Sequence, residues 1–117
     1  MILGTMHIEG RPQAWQRAGR TKDGHSYTQP ATKAYEQLIR MHWRGPRQSP
    51  LAIKITIAVQ EDMQQNAGDL DNYVKIVLDA LNKVAFIDDK QVIAIDAKMH
   101  RKQERPGLDV IVEGWEG

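Results

Sequence analysis

Apolar residues recur along the chain with two different periods, and the changes of period mark out the elements. Residues 1–9 carry Ile2, Leu3, Met6 and Ile8 and read as a first strand. Residues 10–30 are rich in glycine, proline and basic side chains and read as a long loop. A short hairpin is expected near residues 21–28, where Asp23-Gly24 is a turn signal. Residues 32–43 switch to helical spacing, with Tyr35, Leu38, Ile39 and His42 at i, i+3, i+4 and i+7, and Gly45-Pro46 ends the run. Residues 51–61 form the clearest strand: Leu51, Ile53, Ile55, Ile57 and Val59 alternate with Ala52, Lys54, Thr56 and Ala58. A polar loop over residues 62–68 leads to a second helix over about 70–83, with Val74, Val77, Leu78 and Leu81 as its apolar stripe. Asp88-Asp89-Lys90 reads as a turn. Residues 91–100 read as a strand with Ile93, Ile95, Ala97 and Met99 on one side. Residues 101–107 form a basic turn, and residues 108–113 are expected to pair back as a hairpin strand. The order β-(hairpin)-α-β-α-β-β describes a small α/β (α+β) fold, a mixed sheet with two main helices packed on it.

The chain of 117 residues fits one domain spanning 1–117, with a single modest core. It has no cysteine, which excludes disulfides, thiolate metal sites and cysteine nucleophiles and fits a cytoplasmic protein. No signal-like pattern opens the sequence, and no apolar run approaches bilayer length. The net charge of +1 conceals an asymmetry. Residues 1–50 hold eight Lys/Arg against three acids, and residues 51–117 hold eight against twelve. The basic half suits a polyanion, although a solvated surface has the same composition.

The acids cluster in Gly68-Asp69-Leu70-Asp71-Asn72-Tyr73-Val74-Lys75 and in Asp88-Asp89. Asp69 and Asp71 bracket the start of the second helix, where an extended residue directs an i, i+2 pair to one side. Lys75, four residues beyond Asp71, projects from the same helical face. If the next strand lies beside the helix N-terminus, Asp88-Asp89 adds a third carboxylate. Carboxylates about 5 Å apart repel by roughly 3 kcal/mol per pair at an effective dielectric of about 20. A helix N-terminus and one lysine offset only part of this. A hard divalent cation offsets more, and Mg²⁺ accepts carboxylates together with water and phosphate oxygens, as phosphodiester hydrolysis requires. Without cysteine, and with no HxxxH or HxH pattern among the four histidines, zinc does not fit. Spacing alone equally describes an N-cap at Asp69, an exposed Asp71–Lys75 pair and a plain turn at Asp88-Asp89.

Asp69-Leu70-Asp71-Asn72-x-x-Lys75, then Leu78-Asp79-Ala80-Leu81-Asn82, Asp88-Asp89-x-Gln91-Val92 and Lys98, resembles the RusA-like crossover junction endodeoxyribonucleases. A weaker likeness runs through Gly10-Arg11-Pro12, Tyr27-Thr28 and Thr32-Lys33-Ala34-Tyr35-Glu36. The resemblance implies a homodimer that resolves four-way (Holliday) DNA junctions by paired, symmetric, metal-dependent hydrolysis, leaving 5′-phosphates. The cofactor would be Mg²⁺, with Mn²⁺ as a substitute. It carries over Asp69, Asp71 and Asp89 as metal-binding catalytic residues, with Asp88 beside them, and Lys75 as the motif lysine near the scissile phosphate. Phosphate contacts would come from Arg11, Arg17, Arg20, Lys22 and Lys33, and from Lys98, Arg101 and Lys102. The resemblance also implies a bacterial, phage or prophage setting. One departure is residues 63–67, which carry no Lys or Arg where some relatives have a basic stretch.

Several residues keep two readings. Asn72 orients a carboxylate or closes the helix start, Asp79 pairs with Lys75 or completes the motif, and Gln91 supports the Asp89 loop or is merely exposed. Trp15 contacts DNA or packs, and Trp43 on a helix end suits packing. Two other functions compete with the nuclease. One is a non-catalytic branched-DNA binding module, which an idle carboxylate cluster disfavours. The other is a nucleotide phosphohydrolase, which lacks its Gly-rich cradle here.

Overall fold

Alternation of branched apolar residues with polar ones builds the centre of the sheet in the computed structural model, which describes residues 1–62 and 68–115. The elements are β1 (Ile2–Glu9), a two-residue hairpin of β2 (Gly19–Arg20) and β3 (Ser26–Tyr27), α1 (Pro30–His42), β4 (Ile53–Gln60), α2 (Leu70–Leu81), β5 (Val92–His100) and β6 (Gly107–Gly114). Residues 63–67, whose lack of basic side chains sets the chain apart, lie outside the described residues.

In β4, Ile53, Ile55, Ile57 and Val59 are fully buried, and the residues between them are half-covered. The helices lie on that face and contribute Tyr35 and Ile39 from α1 and Tyr73, Ile76, Val77, Ala80 and Leu81 from α2. Helix α1 starts two residues ahead of its expected position because Pro30 stands in its first turn, where proline's fixed φ suits a helix and its missing N–H costs nothing. Helix α2 stops at Leu81, and Lys83 turns the chain with φ +65°. Its buried face is wider than the expected stripe. It includes Tyr73 and Ile76, because α2 packs against α1 as well as the sheet.

The strand order is β1-β6-β4-β5, with β4 and β5 parallel and β6 antiparallel to both β1 and β4. The expected β5–β6 hairpin does not form. After residues 101–106 the chain passes the end of β4, and β6 inserts between β1 and β4. Burial explains the choice. Leu108, Val110 and Val112 in β6 are fully buried, as a central strand requires. No residue of β5 is fully buried, and Asp96, Lys98 and His100 line its outward face, as suits an edge. Ile93 does not share the side of Ile95, Ala97 and Met99. The register steps at this point, Val92 pairing with Ile53 and Ala94 with Lys54.

The parallel β4-α2-β5 unit positions the site. A helix joining parallel strands runs back along them. The start of α2 therefore lies at the end of β4, and the start of β5 lies near the end of α2. Among the described residues no helix is long and apolar enough to cross a membrane.

Candidate active site

Asp69 occupies the N-cap position of α2 with φ −69° and ψ 150°, and its side chain makes no capping hydrogen bond. Its carbonyl oxygen accepts from the N–H groups of Asn72 (3.0 Å) and Tyr73 (3.4 Å), so the backbone alone starts the helix. Asp71 follows in the first turn, and both aspartates are exposed. Two carboxylates therefore stand at the positive end of the helix dipole. Lys75 turns toward Asp79, one turn further on, with Nζ 3.3 Å from its carboxylate. The ammonium also lies over the Trp15 ring, 4.9 Å from its centroid.

Trp15 reaches this position because residues 10–18 dock over the first turn of α2. Its backbone N–H donates to the Asn72 carbonyl at 3.1 Å, so the backbone at Asn72 anchors this loop. Gln16 N–H donates to the buried Thr32 hydroxyl at 3.0 Å and ties the loop to α1. Gly68 completes the joint: a Cβ there would lie 2.5 Å from the Ala14 Cβ.

Glu61, just past β4, is a buried acid near the start of α2 that sequence reasoning missed. It is 2% exposed, accepts from the Tyr73 hydroxyl at 3.4 Å, and has Arg101 Nε 3.8 Å from its other oxygen. Burial, reinforced by the charge of Glu61, pushes the Tyr73 phenol up. A signal was present: the alternation 53-55-57-59, carried one step further, lands on Glu61 in the buried phase. Arg11 donates to Asp62 at 2.5 Å. Arg11 and Arg101 are thus both held at the end of the sheet where α2 begins.

Asp88 and Asp89 lie at the other end. Asp88 caps a single 3₁₀ turn, Asp89–Gln91, its side chain accepting from Lys90 N–H at 3.0 Å. Gln91 uses its whole amide. Oε1 accepts from the N–H groups of Ile87 (2.9 Å) and Asp88 (2.8 Å), and Nε2 donates to the carbonyls of Ser49 and Leu51 (both 2.7 Å). It therefore supports the Asp89 loop. The Lys90 N–H, followed by Asp89, holds the Asp88 carboxyl below the usual range. Asp88 above all, with slight desolvation and the charge of Asp79, pushes the exposed Asp89 up.

Parallel pairing of β4 and β5 puts Asp89, just before β5, toward the end of α2 that carries Asp79. Asp71 lies eight residues back along that helix, a rise of about 12 Å. Among the described residues no group of three acidic or histidine side chains could hold a metal ion. The condition set by the sequence, a strand start beside the helix N-terminus, is not met within one chain, because parallel pairing puts the start of β5 at the opposite end.

The basic residues divide three ways. Arg17 precedes the hairpin, Arg20 and Lys22 lie on it, and Lys33 is in the first turn of α1; all four are exposed. Arg101 and Lys102 follow β5. Lys98 pairs in register with Ala58, on the sheet face turned away from the helices.

A protein-family model described as endodeoxyribonuclease RusA matches residues 9–113, most of the chain. The chain belongs to the RusA endodeoxyribonuclease family. A search of curated proteins gives no match. The RusA match spans both the loop bearing Arg11, Trp15 and Arg17 and the acidic segments at the two ends of α2. It makes the chain an enzyme of DNA cleavage, in a family of Holliday junction resolvases.

Proposed function

We propose that this RusA-family chain resolves four-way DNA junctions as a homodimer, using Mg²⁺, or Mn²⁺ in its place, held by Asp69, Asp71 and Asp89 with Asp88 alongside. The observation that carries this reading is the pair of exposed carboxylates at the start of α2, Asp69 being left uncapped. The oxygen-only donor set suits a hard cation. Bound there, the cation supplies charge stabilisation and an activated water for attack at phosphorus. Lys75 holds a positive charge on the same helix for the phosphate oxygens, while Arg11 and Arg101 fix the strand through its phosphates. Water adds to phosphorus and the 3′ oxygen departs, leaving the 5′-phosphate.

The separation of the acids within one chain supports a composite site. Strand β5 is a sheet edge whose Ile93 and Ile95 are 56% and 45% exposed. Two copies paired antiparallel along β5 bring the start of one strand beside the end of the other. Asp89 of the partner subunit then approaches Asp69 and Asp71. A two-fold dimer also matches a substrate that needs two symmetric cuts.

The test is cleavage of an immobile four-way junction against linear duplex, with Mg²⁺ and with EDTA, for wild type and Asp71→Asn. Paired nicks requiring both Mg²⁺ and Asp71 are expected. Tight junction binding without cutting under any divalent metal would leave a branched-DNA binding module instead. Mixing Asp71→Asn with Asp89→Asn subunits tests the composite site. Mixed dimers regain one intact site and nick one strand if the acids come from two chains, and stay inactive if they come from one.

A further inference from the structure

Lys75 combines a flexible stem with an exposed position, its side chain 46% exposed, so an unrestrained ammonium would sample a wide volume. Two groups restrain it, and they differ in kind. Asp79 holds it as a counter-ion at 3.3 Å, one turn toward the C-terminal end of α2 and away from Asp71. The Trp15 ring holds the ammonium by its face at 4.9 Å, and Trp15 is anchored at the level of the first turn through its N–H to Asn72. A carboxylate neutralises the charge it fixes. An aromatic face attracts the same cation and leaves its charge undiminished toward a phosphate.

We infer that Trp15 is a positioning residue for Lys75: its ring keeps the ammonium at the Asp71 end of α2 while phosphate displaces Asp79. The inference rests on the nuclease reading of Lys75. It also couples two parts of the molecule. Trp15 lies between Arg11 and Arg17 in one loop, so strand contact at those arginines bears on the position of the lysine. The loop's ties to Asn72 and Thr32 keep the ring from swinging freely.

The test compares Trp15→Leu, Trp15→Phe, Lys75→Met and the Trp15→Leu/Lys75→Met double variant by single-turnover junction cleavage and by junction affinity. Trp15→Leu is expected to slow cleavage by roughly threefold to tenfold, the range of a cation–π contact, with affinity within about twofold. Trp15→Phe, which keeps a ring, should retain most of the rate. In the Lys75→Met background Trp15→Leu should have no further effect. An equal loss in that background, or a loss of affinity instead of rate, overturns the inference, the second pointing to stacking on DNA. Because Trp15 also packs against the core, a readout independent of activity and folding is needed. The Lys75 side-chain methylene protons should be shifted upfield by the ring in wild type and return to ordinary positions in Trp15→Leu, with α2 amide shifts elsewhere preserved. Unshifted methylenes in wild type overturn the inference. If Lys75→Met leaves cleavage unchanged, the assigned role of Lys75 fails, and the inference falls with it even where the ring shift is present.

Discussion

Gln91→Ala removes four hydrogen bonds of 2.7–2.9 Å from one half-buried amide, two of them holding the N–H groups of Ile87 and Asp88 and two the carbonyls of Ser49 and Leu51. Each such bond contributes about 1 kcal/mol net, about 4 kcal/mol for the four together. Water can reach part of this site and re-pair some of the freed backbone groups, which lowers the expected cost to about 2–3 kcal/mol. For a domain of this size that is a fall in Tm of roughly 8–15 °C. Gln91→Glu is the sharper perturbation. It keeps the acceptor for Ile87 and Asp88 but directs a second carboxylate oxygen at two carbonyls, so at neutral pH it should cost at least as much as alanine. The assay is urea unfolding with the slope held common to all variants, together with amide exchange at Ile87 and Asp88, where protection should fall first. A Gln91→Ala midpoint within about 0.5 kcal/mol of wild type, the usual scatter of surface substitutions, would refute the account of Gln91 as the clamp on the Asp88-Asp89 loop.

Three further outcomes follow from the same geometry. Burial pushes Glu36 up, with Asp79 adding to the effect and Arg40 and Lys75 opposing it. Its folded-state value therefore lies above its unfolded one, and the stability it contributes is present at low pH and lost as pH rises through the folded value. Glu36→Gln should accordingly raise Tm at pH 7, with the gain closing as the pH falls below the glutamate range; a gain that persists at low pH would contradict this cause. Asp88→Asn removes the main influence raising Asp89, so a carbon-detected NMR titration of the metal-free protein should show Asp89 moving down toward the usual carboxylate range, and an unmoved Asp89 would mean the two acids are not coupled. Gly68→Ala sets a Cβ 2.5 Å from that of Ala14; overpacking of this kind costs about 1–3 kcal/mol, measurable by thermal unfolding, and a neutral result would show that residues 10–18 are not docked on α2.

The hydrophobic periods determined most of the elements, because a strand or helix with one covered face records that face locally. Ile53, Ile55, Ile57 and Val59 alternate in sequence and are buried in the structure. The start of α2 was legible for the same reason. Asp69, Asp71 and Lys75 lie within seven residues: helix geometry sets Asp71 and Lys75 on one face, and the extended Asp69 stands at the N-cap before them. Neither period specifies a neighbour. That β6 enters the sheet between β1 and β4, leaving β5 at the edge, depends on how much of each strand can be covered once all four compete for the centre. The consequence is large for the site. Parallel pairing of β4 and β5 sends Asp88 and Asp89 to the far end of α2, which the local sequence does not record. Contacts between distant segments were equally invisible. Glu61 is ionically linked to Arg101, forty residues away in sequence, and the Trp15 ring meets an ammonium sixty residues on. Local sequence determined which faces are apolar and which side chains share a helix turn. Only the tertiary structure decided which ends meet, because that choice is made by burial summed over the whole sheet.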